Sequence, residues 1–426
     1  MNASAKSPGR TKWRILLDDA RRREALEAVR DIAAALKPSS IQVGEEETAN
    51  LALFYGYLSQ AWPEESEAEM YAECAFDYLN RAIDRASAGL HHDHLCGGYA
   101  GLGWVIANLS GKLLASEESE NCEAVDDIVI ELLRRSQGPL HHELLYGLAG
   151  LGVYALERLP HVAGLEILQM VLSRLAESAE RCGDGLTWFT PAERLPEWQR
   201  EICPNGYYNL GLAHGVPGVL PVLARACEVR ETRGQAWELL NGAQAWLQSR
   251  QMRDGQGTYL VHWLAPEVEP EPGRIAWCYG ALGAATAWLD AARCVGRADW
   301  QRDALALVRR EARKPIAGSG IHDACLCHGT SGNAHIFNRV YQATGEDSFR
   351  QAALRWYEHT LALRHQEETG AGLGGFQMWE PKEDGTPGWA NRPDFLDGVA
   401  GTGLALLAAC TDYEPQWDRL LAVSIS

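Results

Sequence analysis

No run of about 18 consecutive apolar residues occurs in the chain, so nothing in it reads as a membrane span. Basic residues are scarce. Thirty-nine Lys and Arg stand against 57 Asp and Glu, a formal charge of −18 that argues against nucleic acid and anionic membranes as partners. Val, Ile and Thr nowhere build an alternating series of any length, which sets aside the sheet-based classes and leaves a mainly helical chain. None of the usual nucleotide-binding loops is evident. Residues 1–12 are polar and lack the apolar stretch of a secretory signal; they read as a disordered tail, and the chain reads as cytoplasmic. The cysteines number 11 and are scattered rather than spaced as a disulfide framework, so reduced thiols are expected. Cys74, Cys122, Cys227, Cys294 and Cys410 fall in apolar helical runs and read as small core residues.

What is present is a large apolar inventory. Of the 426 residues 46% are hydrophobic, and 15 are Trp, enough for an extensive core. Apolar residues recur at helical spacing over residues 13–37, and further helical runs follow at about 47–61 and 66–88. Gly-x-x-Gly then repeats at Gly98–Gly101, Gly147–Gly150, Gly215–Gly218, Gly280–Gly283, Gly329–Gly332 and Gly398–Gly401. The intervals between first glycines are 49, 68, 65, 49 and 69 residues, and each copy opens an apolar run. One repeat is thus a helix pair with a glycine turn opening the second helix. Glycine suits such a turn because it tolerates positive φ and admits close approach. A degraded copy around Asn50–Gly56 makes seven repeats. Helix pairs of this period form an open solenoid or a closed ring, and closure would gather the turns of distant repeats at one rim. The longer intervals hold Gly-, Pro- and Trp-rich insertions at about 182–210, 253–273 and 369–393, placed to contact a substrate.

Three turns carry metal-capable residues. Cys325-Leu326-Cys327-His328-Gly329 places a thiol and an imidazole side by side, and Cys278 precedes Gly280 in a turn of the same form. A lone cysteine is more often a core residue than a ligand. A Cys-His pair before Gly-x-x-Gly, with another Cys in a matching turn, is hard to obtain from packing alone. Cys278, Cys327 and His328 are therefore expected to hold zinc with one tetrahedral position open, as in catalytic sites, and Cys325 is the rival ligand. His214 is read as occupying the turn position that supplies Cys278 and His328 elsewhere; it could be a fourth ligand, a general acid/base or a turn histidine. Arg274, four residues before Cys278, is either a solvated loop arginine or a cation that steadies developing charge. Glu143, four before Gly147, is either a surface carboxylate or a rim residue. His91-His92-Asp93-His94 is contiguous and loop-like, and reads as a surface run.

Taken together, Trp277-Cys278-Tyr279-Gly280, Cys327-His328-Gly329 and Ala213-His214-Gly215-Val216-Pro217-Gly218 resemble the lanthionine synthetase C family, the lantibiotic cyclases. The resemblance covers nearly the whole chain. It implies an all-α fold, an α/α toroid with seven inner and seven outer helices, spanning residues 13–426 as one domain with a small appended element at about 181–210. It also implies Zn2+ on Cys278, Cys327 and His328, with His214 and Arg274 near the metal. The family usually has Asp where this chain has Glu143. Bifunctional relatives carry a dehydratase ahead of this domain, so the chain is similar to the stand-alone cyclases that work beside a separate dehydratase and other biosynthetic proteins. The implied substrate is a dehydrated precursor peptide, leader plus core. The implied reaction is a lyase-type C–S bond formation: a Cys thiolate adds to dehydroalanine or dehydrobutyrine to give a lanthionine or methyllanthionine ring. Three other readings compete. One is a zinc relative that binds glutathione or adds it to dehydrated residues. Another is a toroidal glycosidase using Asp394 and Asp397, and the last is a helical scaffold without catalysis.

Overall fold

The computed structural model of the chain describes residues 12–62, 65–89, 92–115, 122–136, 138, 140–266, 268–365, 372–381 and 386–425. The expectation of a disordered tail at 1–12 falls, apart from Lys12, outside these residues, as does His91.

The glycine turns set where helices begin. Gly98, Gly147, Gly215, Gly280, Gly329 and Gly398 are each the N-cap of a helix, with φ between −95° and −130°. Positive φ is therefore not what selects glycine here, contrary to the expectation; the missing Cβ is. A Cβ on the second glycine of each turn would fall on the carbonyl six residues earlier: Leu95 at Gly101, Leu144 at Gly150, Leu212 at Gly218, Trp277 at Gly283, Leu326 at Gly332 and Phe395 at Gly401. The loop wraps onto the first helical turn at a distance only glycine permits. Gly101→Ala is expected to lower stability by about 1–3 kcal/mol, the cost of overpacking against a backbone that cannot yield. At Gly234 nothing lies within 4 Å of a new Cβ, so Gly234→Ala should be neutral or gain about 0.4–1 kcal/mol. Urea midpoints of the two variants against the parent check this, and equal midpoints would show that the turns have slack.

The outer helices are α1 (Asp19–Ala35), α3 (Glu65–Ser87), α5 (Glu123–Arg135), α7 (Val162–Ser178), α10 (Arg233–Ser249), α12 (Ala298–Arg313) and α14 (Asp347–Ala362). The inner helices are α2 (Thr48–Ala61), α4 (Tyr99–Leu109), α6 (Leu148–Glu157), α9 (Val216–Ala226), α11 (Ala281–Cys294), α13 (Thr330–Thr344) and α15 (Val399–Cys410). Inner helices pack on one another in chain order, and α15 packs on α2, so the ring is closed. The degraded repeat is the inner helix α2. Inner helices are buried on all sides, as α15 is along its whole length, while outer helices bury one stripe, as in α12 with Trp300, Ala304, Leu307, Val308 and Glu311. The fold is the all-α toroid expected, a double barrel of inner and outer helices.

Closure depends on the chain's two ends. Each inner helix packs on the outer helix that follows it, except α15, which packs on α1. Residues 13–17, expected to be helical, instead run beside α15: the amides of Leu16 and Leu17 donate to Ala409 O, and Trp13 Nε1 donates to Ala408 O at 2.8 Å. The helix starts only at Asp18, whose carboxylate caps the Arg21 amide at 3.0 Å. At the other end a 3₁₀ segment, Gln416–Leu421, spans the inside of the ring. Asp418 is fully buried and accepts from His335 Nε2 (2.7 Å) and Arg339 on α13, while Arg419 pairs with Glu157 on α6 across the ring at 3.0 Å. Trp277 Nε1 donates to Leu421 O at 3.0 Å, which ties the Cys278 turn to this segment.

The insertions hold the strands. β1 (Glu180–Cys182) pairs with β2 (Gly185–Thr187), and β4 (Met252–Asp254) with β5 (Gly257–Tyr259). β3 (Tyr208–Asn209) pairs with β6 (Trp263–Leu264), and β7 (Met378–Pro381) with β8 (Pro387–Ala390). The β3–β6 ladder joins two insertions that read as separate in sequence. Leu195, Cys203 and Tyr207 form a second small core with Trp263, Ala265 and Val268, beside the short helix α8 (Glu197–Ile202). The appended element is thus built from residues 180–209 together with residues 263–266 and 268.

Candidate functional site

The six turns meet at one end of the ring because their backbones bond in sequence. The amide of Cys96 donates to Leu145 O (3.0 Å), Leu144 to Ala213 O (3.1 Å), Ala213 to Cys278 O (3.2 Å), Cys278 to Cys327 O (3.2 Å), and Cys327 to Leu396 O (3.0 Å). A cavity of about 620 Å³ opens over this chain of bonds. Two rows of equivalent positions line it. One residue before the first glycine stand Gly97, Tyr146, His214, Tyr279, His328 and Asp397; two before it stand Cys96, Leu145, Ala213, Cys278, Cys327 and Leu396. The expectation that His214 shares a turn position with Cys278 is corrected by one residue. His214 matches Tyr279 and His328, whereas Cys278 matches Cys327 and Cys96. Cysteines thus come from the inner row and histidines from the outer.

Cys278, Cys327 and His328 come together, with the two sulfurs and an imidazole nitrogen all within 4.8 Å of one another. Cys278 and Cys327 are buried and His328 is about one-third exposed. The Cys327 thiol donates to Cys278 and, with His328 and Arg274 beside it, holds the Cys278 thiol well below its usual value despite burial. The same bond, with burial, keeps the proton on Cys327. Arg274 Nη2 lies 3.2 Å from Cys278 Sγ. Burial opposes charge on His328, but its bond to Cys278 and the nearby Asp323 and Asp397 carboxylates raise its pKa overall. Two thiols and an imidazole around one point fit the donor set of a zinc site. The rival Cys325 is fully buried, and with Asp323 and His328 it forms the other metal-capable group among the described residues.

Across the cavity His214 Nδ1 lies 2.8 Å from Glu143 Oε2. A carboxylate only accepts, so Nδ1 carries the proton and Nε2 is the free nitrogen. Glu143 is itself buried and fixed, accepting the amides of Leu145 (3.0 Å) and Tyr146 (2.5 Å). It is a buried rim residue, not a surface one. The His214 ring is flanked by Tyr146 (centroids 6.2 Å) and Tyr279 (5.4 Å). Sequence reasoning passed over both tyrosines and Cys96, although the row register alone would have found them. Asp394 caps its turn, accepting the Asp397 amide at 2.7 Å, and both aspartates line the cavity, as do His92 and His94. All 11 cysteines are free; of the five read as core residues, Cys122 and Cys410 are buried and the others half-buried.

A second cavity of about 680 Å³ continues from the first and shares Arg274, Tyr279, His328, Asp394 and Asp397 with it. Trp198 and Trp263 of the appended element form one wall, and Met378 and Trp379 of the β7–β8 hairpin form the other. The insertions at 182–210, 253–273 and 369–393 are therefore brought to the same opening. Residues 369–371 and 382–385 of the last one lie outside those described.

The nisin cyclase structure superposes with a TM-score of 0.74 at 16% identity, over 95% of this chain and 98% of that one. A curated relative, the glutathione S-transferase LANCL1 of Danio rerio, is 24% identical over 309 residues, 70% of this chain and 69% of that protein. Among the described residues no helix is long and apolar enough to cross a membrane. The lanthionine synthetase C-like protein family model matches residues 48–422, from the first inner helix to the segment that spans the ring, and the chain belongs to that family.

Proposed function

We propose that this chain is a zinc-dependent lanthipeptide cyclase, catalysing intramolecular Michael addition of peptide Cys thiolates to dehydroalanine or dehydrobutyrine. The observation that carries the reading is that the Cys278–Cys327–His328 cluster and the His214–Glu143 pair face one cavity. Cys278, Cys327 and His328 would hold Zn2+, which when bound supplies the Lewis acidity that ionises a thiol at neutral pH. Arg274 sets a fixed cation beside the reacting centre and steadies the enolate charge that develops as the S–Cβ bond forms. His214 Nε2, with Nδ1 held by Glu143, moves the proton that the thiol loses and the α-carbon gains. The product is an isomer of the substrate, with the S–H bond and the C=C π bond replaced by one S–Cβ and one Cα–H bond. The aromatic walls of the second cavity hold the peptide. The substrate is a dehydrated precursor, leader plus core, supplied by a separate dehydratase in the cytoplasm, with the chain from residue 13 to 426 acting as one domain.

The name of the curated relative supports a second reading, a zinc protein that binds glutathione or adds it to dehydrated residues. Incubating the protein with a dehydrated precursor, with and without glutathione, separates the two. Ring closure consumes peptide thiols without a change of mass, whereas glutathione addition adds its mass and leaves peptide thiols free to alkylation. An unchanged peptide in both arms would overturn both readings.

The wall aromatics make a separate prediction. Trp198→Ala and Trp263→Ala should each weaken peptide binding by about 1–2 kcal/mol, roughly tenfold, through lost aromatic contact. Zinc content should stay at the parent level. Peptide titration followed by fluorescence anisotropy reads the first and metal analysis the second; parent-like affinity in both variants would remove the walls from peptide binding.

A further inference from the structure

His328 has two carboxylates within reach, and they differ in how they are held. Asp397 Oδ1 lies 3.7 Å from His328 Nδ1, too long for a hydrogen bond, and its side chain is about half exposed. Asp323 is buried, and its oxygen lies within 4.8 Å of both a His328 ring nitrogen and Cys325 Sγ. Each Asp323 oxygen is fixed by a different piece of backbone. Oδ1 accepts the Cys325 amide at 3.2 Å, inside the turn that carries Cys327 and His328. Oδ2 accepts the Trp379 amide at 3.0 Å, from strand β7. The Asp323 carbonyl also accepts the Thr330 amide at 3.0 Å, closing the turn around the side chain. A Cβ at Gly329 would come to 2.6 Å from Asp323 Oδ1, so the turn is wrapped on this carboxylate as tightly as a glycine allows. The Trp379 ring stacks on His322, next in the chain, at 5.2 Å. Asp323, His328 and Trp379 line the same cavity.

We infer that Asp323 is a positioning residue that holds the Cys327–His328 turn and joins the β7–β8 hairpin to it, so that the hairpin's placement and the metal affinity of the centre are coupled. This inference rests on the metal reading proposed above. An outer carboxylate that holds the segment bearing the ligands keeps them in place, and loss of such a partner costs roughly 10–100-fold in metal affinity. The hairpin enters because one carboxylate satisfies amides from both segments. Moving β7 away would leave an oxygen and a buried amide unpaired, and the turn and the strand therefore hold each other in place. Asp397, half exposed, accepts from the Cys327 thiol and stands 3.7 Å from His328 Nδ1, so it reaches the centre directly rather than through the hairpin.

The test is zinc affinity measured on the full chain by competition with a chromophoric chelator, together with the visible spectrum of the cobalt-substituted protein. Asp323→Asn is expected to bind zinc roughly 10–100-fold more weakly with an altered cobalt spectrum. Trp379→Pro removes the amide that reaches Asp323, while Trp379→Ala removes the ring and keeps the amide. Weaker zinc binding in the proline variant than in the alanine variant is expected. If Asp323→Asn fails to fold, as judged by circular dichroism, the Trp379 pair still decides. Parent-like affinity and spectrum in a folded Asp323→Asn, or equal affinities in the two Trp379 variants, would overturn the inference. Failure of the metal reading looks different: the parent protein itself would then not bind zinc.

Discussion

Cys278→Ala and Cys327→Ala are expected to lose zinc and ring formation together while the helical fold persists. Zinc bound by four donors is held by about 10–16 kcal/mol, so each ligand is worth roughly 3 kcal/mol, on the order of 10²-fold in affinity. The catalytic loss should be larger. A free thiol near its ordinary value of about 8.5 is only about 3% ionised at pH 7, and the fixed cation of Arg274 would no longer face a thiolate. Residual cyclisation in these variants should therefore rise about tenfold per pH unit below 8.5, where the parent rate is flat. The toroid core does not depend on the centre, since the site lies at one end of a ring closed by helix packing and by the Gln416–Leu421 segment. Metal analysis, circular dichroism and a pH–rate series check the three parts. Full zinc occupancy in both variants would refute the ligand assignment whatever the rates.

His214→Asn is expected to keep zinc and bind peptide yet cyclise about 10²–10⁴-fold more slowly, the usual worth of a placed general acid or base. Its rings should also be mixed at the α-carbon, because solvent would then protonate either face of the enolate. Glu143→Gln should do less harm. It keeps an oxygen for the turn amides but no longer holds the tautomer by charge, so its rate loss should be smaller and its pH profile shifted. One Glu143 carboxylate caps the Leu145 and Tyr146 amides and reaches His214 Nδ1 at 2.8 Å. Lanthionine stereochemistry, zinc content and single-turnover rates separate the cases. Zinc lost from His214→Asn would make His214 a ligand, and a parent rate with parent stereochemistry would leave it a turn residue only.

Much of this was legible without coordinates because glycine cannot be replaced where backbones touch. The Gly-x-x-Gly spacing marked six of the seven inner helices, and helical periodicity gave the last, at Thr48–Ala61. The Cys278 and Cys327-His328 motifs announced soft-ligand chemistry by residue type alone. Residue type could not show register. Spacing does show it: counted back from the first glycine of each turn, His214 stands with Tyr279 and His328, one residue away from the position of Cys278 and Cys327.

What the sequence determined by itself is local: where helices start, which faces are apolar, and which turns bear ligating atoms. Only the tertiary structure decided what depends on chain closure and on bonds between distant segments. The amides linking residues 96 to 396 turn to turn bring the rim residues to one cavity. The β3–β6 ladder merges two insertions into one wall. The Glu143–His214 pair spans 71 residues and the Asp323–Trp379 bond 56. Backbone amides bond alike whatever side chain they carry, so no residue pattern announces their partners, and a carboxylate in a turn looks the same in sequence whether it faces solvent or a histidine.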